Sequence, residues 1–424
     1  MGALALVVPL PLWAAATVDD TEYRLQWNTP KAVGTMTVTL AAAGALLLLV
    51  GALTAQLGMR PRYRQGWPDL TDRAVDRLQR ASSVLFWLTV TGYGAFALAA
   101  TARGLTLSAL VSALVSQDNY QSAFKQQLAP IPGVTTLTQV GVAYVVVAAM
   151  LLSVRWSRQT AQRLGVVIVL AVVRAFLNTE RLALLELAVP LVVVAAVAAY
   201  RRRSSGLGRS MPLAPALLLP LLIVIFGAFE YSRSWQYFQS RTDQGFPRFV
   251  LTRLAGYYVT AYNNGQLRLD YERFPGRLPY ESIQALWDAP VIKQLGLYER
   301  LSAVPPLSAT QILERHGNPE FNNPGGLLVP FVDFGVLGGL LFFLVAGLAV
   351  GAAYRGFAQG SITGLLVYPP LLTGLYDLPR YIYWTQGRLL PALVCLLATA
   401  VFVSRPPRVS TVRRPPARVR QLST

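Results

Sequence analysis

The feature that most constrains this chain is a series of long apolar blocks, rich in Leu, Ala and Val, that run through most of its length. Each block spans roughly 15 to 25 residues without charges, and about 20 such residues cross a bilayer as a helix. In hydrocarbon only helices and closed barrels satisfy every backbone polar group. The chain is 54% hydrophobic and only 14% charged, whereas soluble domains carry about a quarter charged residues. We therefore predict an all-α polytopic membrane protein.

The block pattern predicts about ten transmembrane helices. We expect them at residues 3–17, 33–58, 82–102, 138–153, 164–178, 182–200, 212–229, 334–353, 362–376 and 387–403. The first has a second interpretation, because Ala14-Ala15-Ala16 ahead of two aspartates is similar to the cleavage site of a secretory signal. Its removal would leave nine spans in the same orientation.

The charge distribution predicts how these spans are oriented. The net charge is +18, and 20 of the 38 basic residues lie in five segments that hold only three acidic residues. These segments are 59–81, 154–163, 201–211, 354–361 and 404–424. Basic loops stay on the cytoplasmic side of a membrane, so both termini are predicted to lie inside. The basic face is expected to contact anionic lipid headgroups, and no nucleic-acid partner is indicated.

The same layout divides the chain into four parts. Residues 1–229 are predicted to hold spans one to seven, and 334–403 spans eight to ten. Between them, residues 230–333 form an extracytoplasmic insert of about a hundred residues, large enough for its own helices but too amphipathic for an independent domain. The tail 404–424 is rich in Pro and Arg and is predicted to be disordered and basic.

Several kinds of chemistry lack the residues that they need. The single cysteine, Cys395, lies inside a predicted span, which leaves no disulfide framework and no thiolate metal site. His316 is the only histidine, so a metal centre built from several histidines is excluded. No P-loop, no dinucleotide-binding glycine motif and no zinc-protease motif is present. We therefore predict no metal and no cofactor.

The apolar run 164–200 is interrupted near its centre by Asn-Thr-Glu-Arg at 178–181. Short apolar halves with a polar interruption at membrane depth commonly line a cavity. Arg174, Asn178 and Arg181 are spaced by four and three residues, so they would share one face if the helix continued that far.

Arg174 and Arg181 are the strongest single candidates for a binding or catalytic role. An ionised residue in a span costs several kcal/mol and is rarely kept without a partner or a water-filled cavity. In a functional interpretation the two arginines hold a diphosphate or a similar anion, because a guanidinium group forms bidentate hydrogen bonds to phosphate oxygens. In the structural alternative they form internal ion pairs with Glu180 or Glu186, or extend to the membrane boundary.

The insert combines many aromatic residues with arginines, among them Arg248 and Arg253. Aromatic faces stack on sugar rings, and Arg, Asn and carboxylate groups bond sugar hydroxyls, so this mixture suits a glycan groove. An amphipathic helix at the membrane boundary would have the same composition. For residues 245–262 the two interpretations remain open.

The insert ends in a polar stretch that begins at His316 and is rich in Gly, Asn and Pro. Such residues favour a turn that leads back into the membrane. A functional interpretation makes Glu320 a general base for a sugar hydroxyl. Asn318, Asn322 and Asn323 would then orient the sugar. His316 is the alternative base.

The last outside loop contains Asp377 and Arg380, and Arg388 begins the final span. The surrounding tyrosines and tryptophan are typical of an aromatic belt at the end of a helical hairpin. Alternatively, Arg388 faces the same cavity as Arg174. Asp377 is a third candidate for the general base.

Two segments resemble the O-antigen polymerases (Wzy-type), which polymerise oligosaccharide repeat units. The segment from Val173 to Leu182 (VRAFLNTERL) is similar to the Arg-containing span that these proteins have ahead of their large outer loop. The stretch from Asn322 to Gly339, which ends in VDFGVLGG, is similar to the point where their loop returns to the membrane. The overall layout of spans and loops is similar too.

The resemblance implies a metal-independent glycosyltransferase of the bacterial cytoplasmic membrane. Polyprenyl-diphosphate-linked glycans would be donor and acceptor, and a flippase and a chain-length regulator would be its protein partners. Arg174 and Arg181 would stabilise the leaving diphosphate, with Glu180 beside them, while Arg248 or Arg253 would bind the second lipid-linked substrate. A flippase for lipid-linked oligosaccharide and a related cell-envelope glycan ligase remain alternatives.

Overall fold

The apolar blocks fold into helices, as the sequence predicts. The computed structural model of the chain describes residues 7–57, 70–106, 108–109, 127–129, 131, 133–178, 181–201, 214–240, 244–272, 277–304 and 309–405. No β-strand occurs among these residues. The helices of eight residues or more are α1 Pro9–Thr17, α2 Asp20–Trp27, α3 Thr35–Thr54, α4 Asp72–Ala102, α5 Val140–Val154, α6 Arg158–Leu177, α7 Arg181–Arg201, α8 Ala214–Glu230, α9 Phe246–Tyr271, α10 Ala309–His316, α11 Val329–Ala358, α12 Ile362–Tyr376 and α13 Leu390–Ser404.

Six helices of the described part are long and apolar enough to cross a membrane. They are α3, α4, α6 and α11, together with the stretches Thr136–Val154 and Leu182–Ala199 around α5 and within α7. Shorter apolar helices occupy three further predicted spans, at Pro220–Glu230, α12 and α13. An all-α membrane protein is thereby confirmed. The total of ten spans and the orientation remain predictions.

Of the first predicted span, 3–17, the structure describes residues 7–17, and helix α1 occupies Pro9–Thr17 of these. Val8, Leu12 and Ala15 are buried. The hydroxyl of Tyr262 in α9 donates to the Val8 carbonyl. The described part of this segment is therefore packed against α9.

Helices α3 and α11 form the closest helix pair of the bundle. Gly51 of α3 and Gly347 of α11 lie at this contact, where an added Cβ would collide with the backbone of the other helix. Small residues let helix backbones approach closely in membranes, where dispersion and not the hydrophobic effect drives association. The polar helix α9 contacts both members of this pair.

Helix α9 lies inside the predicted insert 230–333 and is unusual in being both polar and buried. It contacts α1, α2, α3, α8, α10 and α11. Fifteen of its 26 residues are buried, including Asn263, Asn264 and Arg268. An interfacial helix with extended arginines was one interpretation of residues 245–262, and Arg253 does not fit it, because only 7% of this residue is exposed. The insert therefore begins as a packed part of the bundle.

The predicted return to the membrane is built from a loop and a broken helix. Residues 322–328 lead into α11, whose backbone leaves helical geometry at Gly335, where φ is +71°. A second glycine with positive φ, Gly325, lies where a Cβ would collide with the Ala261 carbonyl of α9. The backbone NH of Gly326 donates to the Pro379 carbonyl at 3.0 Å. This loop is thereby held between α9 and the loop after α12.

Candidate functional site

Buried amides of α9 fix the loop that contains the predicted base. The side-chain nitrogen of Asn264 donates to the carbonyls of Phe321 and Asn323, at 2.6 and 2.8 Å. Asn323 in turn donates its side-chain NH to the Tyr257 carbonyl at 2.9 Å. A buried backbone carbonyl without a donor costs about 1–3 kcal/mol. These bonds therefore determine where the loop lies on α9.

Glu320 forms an ion pair with Arg253. Their Oε1 and Nη2 atoms are 2.5 Å apart, and the Glu320 side chain is 37% exposed. Arg253 also lies 3.5 Å from the fully buried Glu230 and over the ring of Phe321. Asn318 accepts a hydrogen bond from the Glu320 backbone NH at 3.0 Å. The carboxylate is thus oriented by its neighbours and remains open to solvent or to a ligand.

Arg380 forms a second ion pair on the other side of the same loop. It donates to Asp377 at 2.8 Å and to the side-chain oxygen of Asn323 at 3.0 Å. The rings of Tyr257, Tyr258 and Tyr381 surround its guanidinium at 5.4 to 5.7 Å. Burial raises the pKa of the Asp377 carboxyl, and the positive charges of Arg380 and Arg388 oppose this rise.

These two ion pairs belong to one continuous cluster. The rings of Tyr257 and Phe321 pack edge to face at 5.2 Å between the two guanidinium groups. We call this cluster the α9 site and define it by Arg253, Glu320, Asn323, Asp377 and Arg380. Asn322 adjoins it through its carbonyl, which accepts from the Tyr381 hydroxyl at 3.3 Å.

Arg174 lies in a different place, a recess among α4, α5, α6 and α7. It donates to the Thr138 hydroxyl at 2.8 Å. The Gln139 amide, with its oxygen toward Arg174, accepts from both guanidinium nitrogens at 3.1 and 3.2 Å and donates to Glu186 at 3.2 Å. We call this region the Arg174 recess and define it by Thr138, Gln139, Arg174 and Glu186.

The loop after α12 connects the recess with the α9 site. Arg388 lies 3.5 Å from Glu186, and the hydroxyl of Tyr383 donates to the same carboxylate. Glu186, which lines the recess with Arg174, is thus also the partner of Arg388. Since Arg380 and Asp377 begin the same loop, a movement of this loop would affect both regions.

The other predicted site residues are placed as follows. Arg248 is exposed in the first turn of α9. The ring of His316 stacks on Tyr271 at 4.0 Å, at the opposite end of α9 from Arg253, so His316 and Glu320 contact different halves of that helix. Glu180 lies outside the described residues, and of Arg181 only the backbone is described.

The condition under which Arg174, Asn178 and Arg181 would share one helical face, a helix that continues through all three, is not met. Helix α6 ends at Leu177, and Arg181 begins α7, so Arg174 and Arg181 belong to separate helices. The polar residues between them favour a turn over a continued helix. The structural alternative for Arg174 named Glu186, and this carboxylate does lie in the recess.

The sequence interpretation missed several residues that build these regions. Gln139 lies in a short polar stretch before an apolar run, and Asn264 follows another asparagine in α9. Glu230 ends the apolar helix α8. A polar residue next to an apolar run was the available signal, but nothing in the sequence indicates which distant group it contacts.

Compared with known proteins, the chain matches no family model, and no curated protein and no solved structure is similar to it. Among the described residues no group of three or more His, Cys, Asp or Glu side chains could hold a metal ion. The α9 site and the Arg174 recess, with their geometry and charge, are therefore the features that bear on function.

Proposed function

We propose that the chain is a membrane glycosyltransferase that polymerises polyprenyl-diphosphate-linked oligosaccharide repeat units on the extracytoplasmic face of the bacterial cytoplasmic membrane. The observation behind this proposal is the different charge balance of two neighbouring regions. The Arg174 recess combines Arg174 and the adjoining Arg388 with one carboxylate, Glu186. The α9 site and its neighbour Glu230 combine two arginines with three carboxylates.

This balance assigns one substrate group to each region. A diphosphate carries negative charge and is bound by arginines, so the recess with its excess of positive charge takes the diphosphate of the donor. The acceptor glycan, which is neutral at its reacting hydroxyl, lies against the aromatic rings of the α9 site. Arg253 then has a structural partner in Glu230 and orients Glu320. This replaces the second-substrate role that the family resemblance implies for Arg253.

The reaction is a displacement at the anomeric carbon of the donor. The acceptor hydroxyl oxygen bonds to that carbon while the bond from the carbon to the diphosphate oxygen breaks. Glu320 takes the hydroxyl proton, and the leaving diphosphate takes the electron pair of the broken bond. Arg174 and Arg388 stabilise the charge that develops on the leaving group, because fixed donors cost no reorganisation at that moment.

The experiment uses a strain in which the gene for this chain is deleted and each variant is restored on a plasmid. Wild type, Arg174→Ala and Glu320→Gln are compared by the length distribution of the lipid-linked glycan. Glu314→Gln and Arg315→Ala, both exposed on α10, are the matched controls. Membrane levels are measured for every variant.

The proposal predicts a polymer ladder for wild type and for both controls, and single lipid-linked units for Arg174→Ala and Glu320→Gln. If the deletion strain keeps its units on the cytoplasmic face, the chain is a flippase. If polymers form in the deletion strain but are not joined to their final acceptor, the chain is a ligase. Either result contradicts the polymerase proposal.

A further inference from the structure

Residues 277–304 form a small unit of their own beside the bundle. A 3₁₀ turn at Glu281–Ile283 is followed by short helices at Gln284–Trp287, Pro290–Gln294 and Leu297–Leu301. Tyr298 is buried at the centre, with the rings of Tyr280 and Trp287 packed edge to face against it at 4.9 and 5.1 Å. The unit therefore has an aromatic core that fixes the direction of its outer side chains.

Large apolar side chains are exposed on this unit. Val291 and Leu301 are 67% and 65% exposed, and Leu286, Leu295 and Val304 are also exposed. Polar side chains of the same short helices, among them Lys293, Glu299 and Arg300, are exposed as well. Single apolar residues on a surface need no explanation, but several on one short unit mark an interaction surface.

The position of the unit along α11 indicates its depth relative to the membrane. Asp333, near the start of α11, accepts hydrogen bonds from the backbone NH groups of Tyr280 and Ser282, at 3.2 and 2.6 Å. The exposed apolar side chains of α11 begin three residues later, at Val336 and Leu337. The unit is thus attached three residues before the first exposed apolar side chains of α11, a stretch of chain that spans at most about 10 Å.

The length of α11 locates the hydrocarbon boundary at the same level. From Val336 to Arg355 the helix rises roughly 28 Å at 1.5 Å per residue, which matches a hydrocarbon core about 30 Å thick. Lipid headgroups occupy the next several ångströms beyond this core. Since Asp333 holds the unit at that level, the unit lies where headgroups begin.

We propose that the exposed apolar side chains of residues 286–304 insert into the bilayer at the N-terminal end of α11. The occupant is lipid because Asp333 holds the unit at the end of a candidate membrane span, which is the depth where amphipathic helices bind membranes. Insertion would hold the unit, and through Asp333 the start of α11, at a fixed depth. This inference does not depend on the proposed enzymatic function.

Site-directed spin labelling tests the proposal on the full chain in lipid nanodiscs. Cys395 is the only cysteine, so its replacement gives a background for single labels, and Cys395→Ala and Cys395→Ser are both made. Val291→Cys and Leu301→Cys report the apolar surface, and Glu299→Cys on the last short helix is the matched polar control. Each nitroxide is exposed to oxygen, which concentrates in lipid, and to a water-soluble nickel chelate.

We expect a several-fold higher ratio of oxygen to nickel accessibility at residues 291 and 301 than at 299. Equally low ratios at all three positions would place the apolar surface in water and overturn the proposal. Low accessibility to both reagents, with spin–spin broadening at full labelling, would mean that a second copy of the chain covers the surface. That result would overturn it as well.

Discussion

The two halves of α9 hold charged residues in opposite ways. Toward its C-terminal end, Glu272 lies between Arg268, at 2.7 Å, and Arg277, and Arg277 is 3.5 Å from Asp333 of α11. All four residues are buried. Toward its N-terminal end, Glu320 pairs with a buried arginine but is itself 37% exposed.

The difference shows that charge density alone does not identify a functional site. The buried network joins α9, the unit 277–304 and α11, and each of its four members is less than 10% exposed. The removal of these charges from water costs several kcal/mol. The attraction between the charges offsets this cost only where their geometry is good. In the α9 site, by contrast, one charged member of the cluster, Glu320, is accessible, as the proposed role of a general base requires.

The largest effect should follow from Glu272→Gln. This change removes the carboxylate between two buried guanidinium groups, and an uncompensated buried charge costs about 3–5 kcal/mol. We expect a much lower melting temperature in detergent and a lower level in membranes. Glu299→Gln, on the exposed surface, is the control. An unchanged melting temperature would show that water reaches the network, and the contrast between the two halves would disappear.

Asn264→Leu should have the next largest effect. The loop carbonyls of Phe321 and Asn323 both lose their donor, at a cost of about 2 kcal/mol. We expect a lower melting temperature and, at temperatures where the variant is folded, shorter polymers because Glu320 is misplaced. Asn322→Ala is the stability control, since Asn322 is exposed. If the loss of stability occurs with normal polymer length, Asn264 does not position the loop for function.

Glu320→Gln is the counterpart of Glu272→Gln in the accessible half. Arg253 keeps Glu230 as a partner at 3.5 Å and Glu320 is itself 37% exposed, so the substitution leaves no buried charge without a partner. The melting temperature should therefore change little, while polymerisation is lost. Thermal unfolding of the purified variants gives the melting temperature, and the length distribution of the glycan reports polymerisation. A destabilisation as large as that of Glu272→Gln would make Glu320 a structural residue.

The sequence predicts the helices well because span length and apolar composition are local properties. The predicted spans 164–178 and 182–200 correspond to α6 and α7, and 362–376 coincides with α12. What it could not predict is that α9 is buried. A helix with this many polar residues is expected at a surface, and it is buried here because the loop 318–328 and the N-terminal segment offer backbone partners for its amides.

The candidate site was predicted by residue type and not by pairing. Arg253, Glu320 and Arg380 were all singled out, yet nothing in the sequence joins Arg253 to a glutamate 67 residues away. Arg268, Glu272 and Arg277 lie close together in the chain, but their partner Asp333 comes from another element. Such pairings depend on tertiary packing, which a one-dimensional pattern does not contain.

The smallest expected effect concerns Glu281, at the edge of the buried network. Here the direction of the change in stability with pH decides the interpretation. Burial raises the pKa of its carboxyl; Arg268, 3.6 Å away, opposes the rise, while Glu272 and Asp333 add to it. The folded chain therefore binds this proton more tightly than the unfolded chain. Its contribution to stability is then complete below the ordinary carboxyl pKa of 4.5 and is lost as pH rises above it.

Glu281→Gln should abolish the loss of stability that occurs as pH rises, because the neutral amide resembles the protonated acid. We expect the variant to melt at or above the wild-type temperature at pH 8, and the difference between them to shrink toward pH 5. Thermal unfolding of both proteins across that range measures the effect, with Glu299→Gln as the control for a surface carboxylate. A variant that is less stable than wild type at pH 8 would mean that the ion pair with Arg268 outweighs the cost of burial. Glu281 would then be a stabilising member of the buried network, as Glu272 is.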